Sequence, residues 1–191
     1  MSAITSLLDA YAGVLLYPEQ DHDVLVQLCL DRCGEEYPRI AERIANYQSQ
    51  IKALSLSARE ELYIRTFDLN KAGTLDLGWH LFGEDYNRGL FLVKVRQYLQ
   101  LLQIPETHEL PDHVSLVLKA LGRMSREEGN RFAYACVIPA IEMIGEGIQA
   151  ENPHDQLVQG LSELLRSLFD VPAGFEETDE SESTRYQLPI V

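Results

Sequence analysis

The sequence predicts an all-α fold: a single-domain bundle of about eight helices over residues 1–171, followed by an acidic tail over 172–191. Three observations carry this. Apolar residues recur at three- and four-residue steps along most of the chain. No run of alternating Val, Ile or Thr is flanked by hairpin turns. Start and stop signals divide the apolar stripes into helix-sized pieces.

The first stripe is Ile4, Leu7, Leu8, Tyr11, Val14 and Leu15, stopped by Tyr17-Pro18 because a residue before proline avoids the helical region. A second helix is expected from Asp21 to Cys33, with Val24, Leu25, Leu28 and Cys29 inward and Gly34 at its end. Cys29 and Cys33 are one helical turn apart; with no further ligands nearby they read as small core residues rather than a metal site. A third helix spans about Tyr37 to Leu54. Ser57 and Glu60 have the form of a capping box opening a fourth, to about Phe67. Asp68 to Gly78 reads as a connection, long enough for a bundle loop to carry function.

The fifth helix is expected from about Glu84 to Gln103, apolar nearly all round from Leu90 to Leu102 and stopped by Pro105. Such a helix lies at the centre of a bundle or binds something on a second face. Pro111 suits the start of a sixth helix reaching about Met124. Ser125 and Glu128 form a second capping box, opening a seventh helix that Pro139 should kink. Asn152-Pro153 opens the eighth, to about Phe169. Glu176 to Ser183 cannot bury enough to order itself, and Tyr186 to Val191 either docks back or stays free.

At 191 residues the chain is long enough for a substantial core, and 46% apolar with 24% charged residues is ordinary for a globular domain. The net charge of -14 is not ordinary. It disfavours nucleic acid and anionic membrane, and favours a basic partner. No apolar run reaches the ~18 residues of a membrane span. The start, Met1 to Tyr11, has no Lys or Arg and so lacks the form of a secretory signal. Three cysteines make no disulfide framework. A cytoplasmic location is expected.

Two polar clusters flank the fifth helix. Trp79-His80-Leu81-Phe82-Gly83-Glu84-Asp85-Tyr86-Asn87-Arg88-Gly89 places rings, small residues and charges at a helix entrance, a composition suited to peptide contact. The bland alternative is a packed corner with a satisfied arginine. Glu109, Pro111, Asp112 and His113 offer fixed acceptors for a basic or polar ligand, or merely cap a helix. As an alternative function, Glu109, Asp112 and His113 form a metal-dependent site of an all-α enzyme. They lack the paired-histidine spacing of convincing metal sites, and no phosphate loop, nucleophile elbow or C-x-x-C motif occurs.

Phe67-Asp68, His80, Gly83-Glu84, Arg88-Gly89, Tyr98 and Glu-Leu-Pro-Asp-His from Glu109 to His113 resemble, in order and spacing, the NarJ branch of the TorD/DmsD/NarJ redox enzyme maturation chaperones. The similarity covers roughly residues 60–122, with Leu16-Tyr17-Pro18 also similar. Trp79, Asp85 and Asn87 depart from the nitrate reductase chaperone pattern, which leaves the client open. The resemblance implies an all-α fold, no catalytic activity and no cofactor. It also implies binding of the N-terminal, often twin-arginine, segment of a molybdoenzyme catalytic subunit until the molybdenum cofactor is inserted, with contact to the insertion machinery. Such a segment is basic with an apolar stretch. On this reading Phe67, Leu75, Trp79, Phe82 and Tyr86 line an apolar groove on the fifth helix. Glu84, Asp85, Glu109 and Asp112 meet basic groups. His80, Gly83, Arg88, Pro111 and His113 shape the site, with His113 as a source of pH dependence near ~6.5.

Overall fold

Side-chain caps set most helix starts. The computed structural model describes residues 2–172, so the tail lies outside the described residues apart from Pro172. The Ser2 hydroxyl accepts the Thr5 amide at 3.1 Å and opens α1 (Ala3–Val14). α2 (His22–Cys33) ends at Gly34, whose φ of 49° is a conformation glycine adopts without penalty. Pro38 occupies the first turn of α3 (Pro38–Ile51), where its missing N–H leaves nothing unsatisfied.

α4 (Leu56–Tyr63) passes into a π turn (Ile64–Asp68). α5 (Leu77–Phe82) leads to α6 (Tyr86–Leu101), capped by Asp85, which accepts the Asn87 amide. α7 (Val114–Leu121) is capped by the His113 ring. α8 (Arg126–Phe132) opens on the full Ser125–Glu128 capping box and runs through a second π turn (Ala133–Val137) into α9 (Ile138–Glu146). Asn152 caps α10 (Pro153–Leu168), with Pro153 in its first turn. Since α8 and α9 are one continuous rod, the described residues form nine rods, with no strand and one isolated antiparallel bridge between Asp76 and His113.

The core is one cluster. α1 packs between α2 and α7, α3 lies against α2 and α10, α10 against α9, and α5 joins α6 to α9. Tyr11, wholly buried on α1, donates its hydroxyl to the Leu157 carbonyl of α10 at 2.7 Å. The cysteines are buried, as expected of core residues. No helix among the described residues is long and apolar enough to cross a membrane.

Several expectations are corrected. Ser55, not Ser57, caps α4: its hydroxyl accepts the Ala58 amide, and Ser57 is already inside the helix. The Arg59 guanidinium donates to the Ile51 and Leu54 carbonyls and to Asp23, fixing a tight α3–α4 corner that leaves no room for a later start. In α2, Val24 and Leu28 are exposed, and the inward row is His22, Val26, Cys29 and Cys33. The stretch read as a connection closes with the start of α5. Pro111 precedes α7 by a turn rather than starting it.

α6 is not central. Only Phe91, Val95 and Leu99, one row at four-residue spacing, are buried, while Tyr86, Leu90, Val93 and Leu101 face out. Near Pro139 the helix widens into a π turn, with the Ile138 amide reaching the Ala133 carbonyl five residues back. A proline ring crowds the preceding turn, and a wider turn relieves that crowding.

Candidate functional site

A cavity of about 500 Å³ opens where the end of α1, the α4 π turn and two loops meet. Its aromatic wall starts at Tyr17, just past α1 and partly exposed. Tyr17 meets Tyr63 edge-on at 5.5 Å between ring centres, and Tyr63 meets Phe67 at 4.9 Å. Tyr63 is anchored by its hydroxyl, which donates to the Leu15 carbonyl at 3.2 Å. Behind Phe67 stands His154, 4.8 Å away; burial and the neighbouring His22 hold it neutral down to about 3. That packing leaves Phe67 no room to turn away.

The polar wall carries Asp68, Asp76 and Glu109, with His108 beside Glu109 at 3.0 Å. Thr74, Leu75, Leu110 and His113 complete the lining. Burial raises the Asp68 and Asp76 carboxyls above their usual range, and the Arg88 guanidinium, 3.4 Å from Asp76, opposes this at Asp76. Burial pushes the Tyr63 phenol well up, and Glu109, Asp68 and Asp76 push it further. The tyrosines therefore stay protonated in a negative field. Rings with negative faces beside carboxylates suit a cation, above all a planar guanidinium.

Two loops hold this arrangement. The Leu77 amide donates to the Asp112 carbonyl at 3.1 Å and the Val114 amide to the Leu75 carbonyl at 2.9 Å, clamping 75–77 to 112–114. Within the clamp, Asp112 Oδ2 accepts the Gly78 amide at 2.8 Å. A Cβ at Gly78 would lie 2.7 Å from that oxygen and 3.0 Å from Phe91, so only glycine allows this approach. The other loop is pinned by Asn70, which donates to the Gly147 carbonyl at 3.0 Å, and by His80, whose Nε2 donates to the Thr74 carbonyl at 2.8 Å.

Phe67, Leu75, Glu109 and His113 are thus brought together on the cavity wall. Pro111 and Asp112 are buried beneath it, and Asp112, fully enclosed, supports the loop instead of meeting a ligand. Its carboxyl is raised to about 6, by burial first and then by Asp76, against the pull of the Gly78 amide and Arg88. Oδ1 of Asp112 and Nε of Arg88 are buried without a protein partner. His113 accepts the Ser115 amide on Nδ1 at 3.2 Å; burial, with His108 and Lys119, lowers it to about 4. It is neutral near pH 6.5, contrary to the expected pH dependence there. Among the described residues no three His, Cys, Asp or Glu side chains converge to hold a metal.

The remaining candidates form a neighbouring corner. Trp79 has two cations over its ring, Lys71 at 5.0 Å and Arg88 at 5.6 Å from the ring centre. Phe82 packs on Phe91 at 5.4 Å, and Gly83 ends α5 at φ 58°. Glu84 pairs loosely with Lys71, Asp85 is spent on its cap, and Tyr86 is exposed. Arg88 bonds Asp76 rather than Glu109 or Asp112, and so links this corner to the cavity.

Sequence reasoning missed Tyr17, Tyr63, Asp68, Thr74, Asp76, His108 and Leu110 as site residues. In the sequence Tyr17 reads as part of a helix stop, and nothing local announces that its ring meets Tyr63. Compared with known proteins, the chain matches no family model and no curated protein sequence.

Proposed function

We propose that this chain is a cytoplasmic, non-enzymatic assembly chaperone of the NarJ type. It binds the basic N-terminal segment of a molybdoenzyme catalytic subunit and holds it for cofactor insertion. The observation that carries this reading is the cavity: Asp68, Asp76 and Glu109 beside the rings of Tyr17, Tyr63 and Phe67. An arginine side chain of the client enters it, stacks on a tyrosine and pairs with the carboxylates. The resemblance supports the same reading, because Phe67-Asp68 and the Glu109–His113 element, far apart in sequence, border one cavity. The net charge of -14 adds long-range attraction for a basic segment.

The test is a pull-down from the native cytoplasm with the partner identified by mass spectrometry. A molybdoenzyme catalytic subunit is the expected capture. Its N-terminal peptide is then titrated against Trp79 fluorescence, which senses the cavity through Arg88 and Asp76. If no such subunit is captured where the host expresses one, the reading fails.

A further inference from the structure

Arg88 is poorly satisfied where it stands. It lies in the first turn of α6, the end of a helix whose dipole disfavours a cation. Nη2 donates to Asp76 Oδ2 at 3.4 Å, well beyond the length of about 2.7–2.9 Å expected of a firm charge-assisted bond. Nε is buried and has no hydrogen-bond partner among the described residues. Gly78 brings a second acceptor close. A Cβ built there would lie 2.7 Å from Asp112 Oδ2 and 3.3 Å from Arg88 Cγ, so the Asp112 carboxylate and the Arg88 stem flank one point of backbone. Asp112 is wholly enclosed; Oδ2 takes the Gly78 amide, and Oδ1 accepts nothing among the described residues.

A buried donor and a buried acceptor, each unmatched, thus stand on either side of Gly78. Buried polar atoms without partners are costly, and joining these two relieves both. Rotation about the bonds between Cγ and Nε turns the Nε–H toward Asp112. The bond to Asp76, already long, has no slack to follow that turn. Asp76 lines the cavity, so the position of Arg88 bears on any cation that enters. Resting on the reading of the cavity as the site of a client arginine, we propose that Arg88 is its built-in competitor. It holds Asp76 while the cavity is empty, and an entering guanidinium displaces it onto Oδ1 of Asp112. One guanidinium replaces another at Asp76, and the displaced charge gains a carboxylate instead of being left unpaired. Because Arg88 also lies over the Trp79 ring, the exchange is felt at the neighbouring corner.

The test is calorimetric titration of the full chain with a peptide of two adjacent arginines followed by an apolar stretch. A twin peptide carries citrulline, which is neutral and of similar shape, in place of both arginines. Arg88→Gln should bind the arginine peptide about 5–30-fold more tightly than the native protein does. The gain should vanish with the citrulline peptide, and also when Asp76→Asn is added to Arg88→Gln. A residue that merely braces the corner would weaken binding when replaced. Weaker or unchanged binding by Arg88→Gln overturns the proposal and leaves the client reading standing; no binding to either protein overturns both. NMR of the native, 15N-labelled protein gives a check that needs no variant. Saturation with the arginine peptide should shift the Arg88 Nε–H signal downfield and slow its exchange with water, as Nε gains the Asp112 oxygen. An unchanged signal in the saturated protein overturns the displacement.

Discussion

At the scale of single residues, Asp112 and His113 are neighbours whose burial acts in opposite directions. The Asp112 carboxyl is raised to about 6, so the folded state holds a proton that the unfolded state releases. Its contribution is present below about pH 4 and is lost as pH rises through 6. His113 is lowered to about 4, so its contribution is present above about pH 6.5 and is lost as pH falls toward 4. Each shift corresponds to about 3 kcal/mol. Urea titrations from pH 4 to 7 should therefore show a steeper rise of stability with pH in Asp112→Asn and a flatter one in His113→Asn. Equal slopes in the two variants would contradict the burial assigned here. Gly78→Ala is expected to cost about 1–3 kcal/mol, because the added carbon meets Asp112 and Phe91. Thermal unfolding measures it.

At the scale of elements, stability should follow the observed caps. Ser55→Ala should cost about 1 kcal/mol and Ser57→Ala almost nothing; the reverse order would restore the cap inferred from the sequence. That inference failed because Ser55 and Ser57 are both plausible starts, and the choice is made by Arg59 gripping the end of α3, a contact outside the local pattern. The long helices were legible because their stripes are long: of the residues marked in the first stripe, Leu7, Leu8, Tyr11, Val14 and Leu15 are buried and Ile4 is half-buried. α5 was not, since six residues give too little periodicity to separate a helix from a loop. α6 misled for another reason. Its composition is apolar on two faces, and only packing shows that one of them has no neighbour among the described helices.

At the scale of the molecule, the proposed preference for a basic client rests on the carboxylates of the cavity. Asp68→Asn and Glu109→Gln should each weaken binding of a basic client peptide by about 3–30-fold and reduce its salt dependence. His113→Asn should leave the pH profile unchanged between 6 and 8, since His113 is already neutral there. Four of the lining residues were readable from sequence, Glu109 and His113 because they lie in the second polar cluster and Phe67 and Leu75 through the groove that the resemblance implied. The tyrosines were not, because their meeting depends on how α1 and α4 cross.

The two backbone bonds joining residues 75–77 to 112–114 have a kinetic consequence. They close a loop that contains all of α5 and α6, so this excursion can detach while the remaining helices stay folded. Such a unit opens with less free energy than the whole protein. The amides of Leu77 and Val114, at opposite ends of the excursion, should then exchange with deuterium at one common rate, faster than those of α1 and α10.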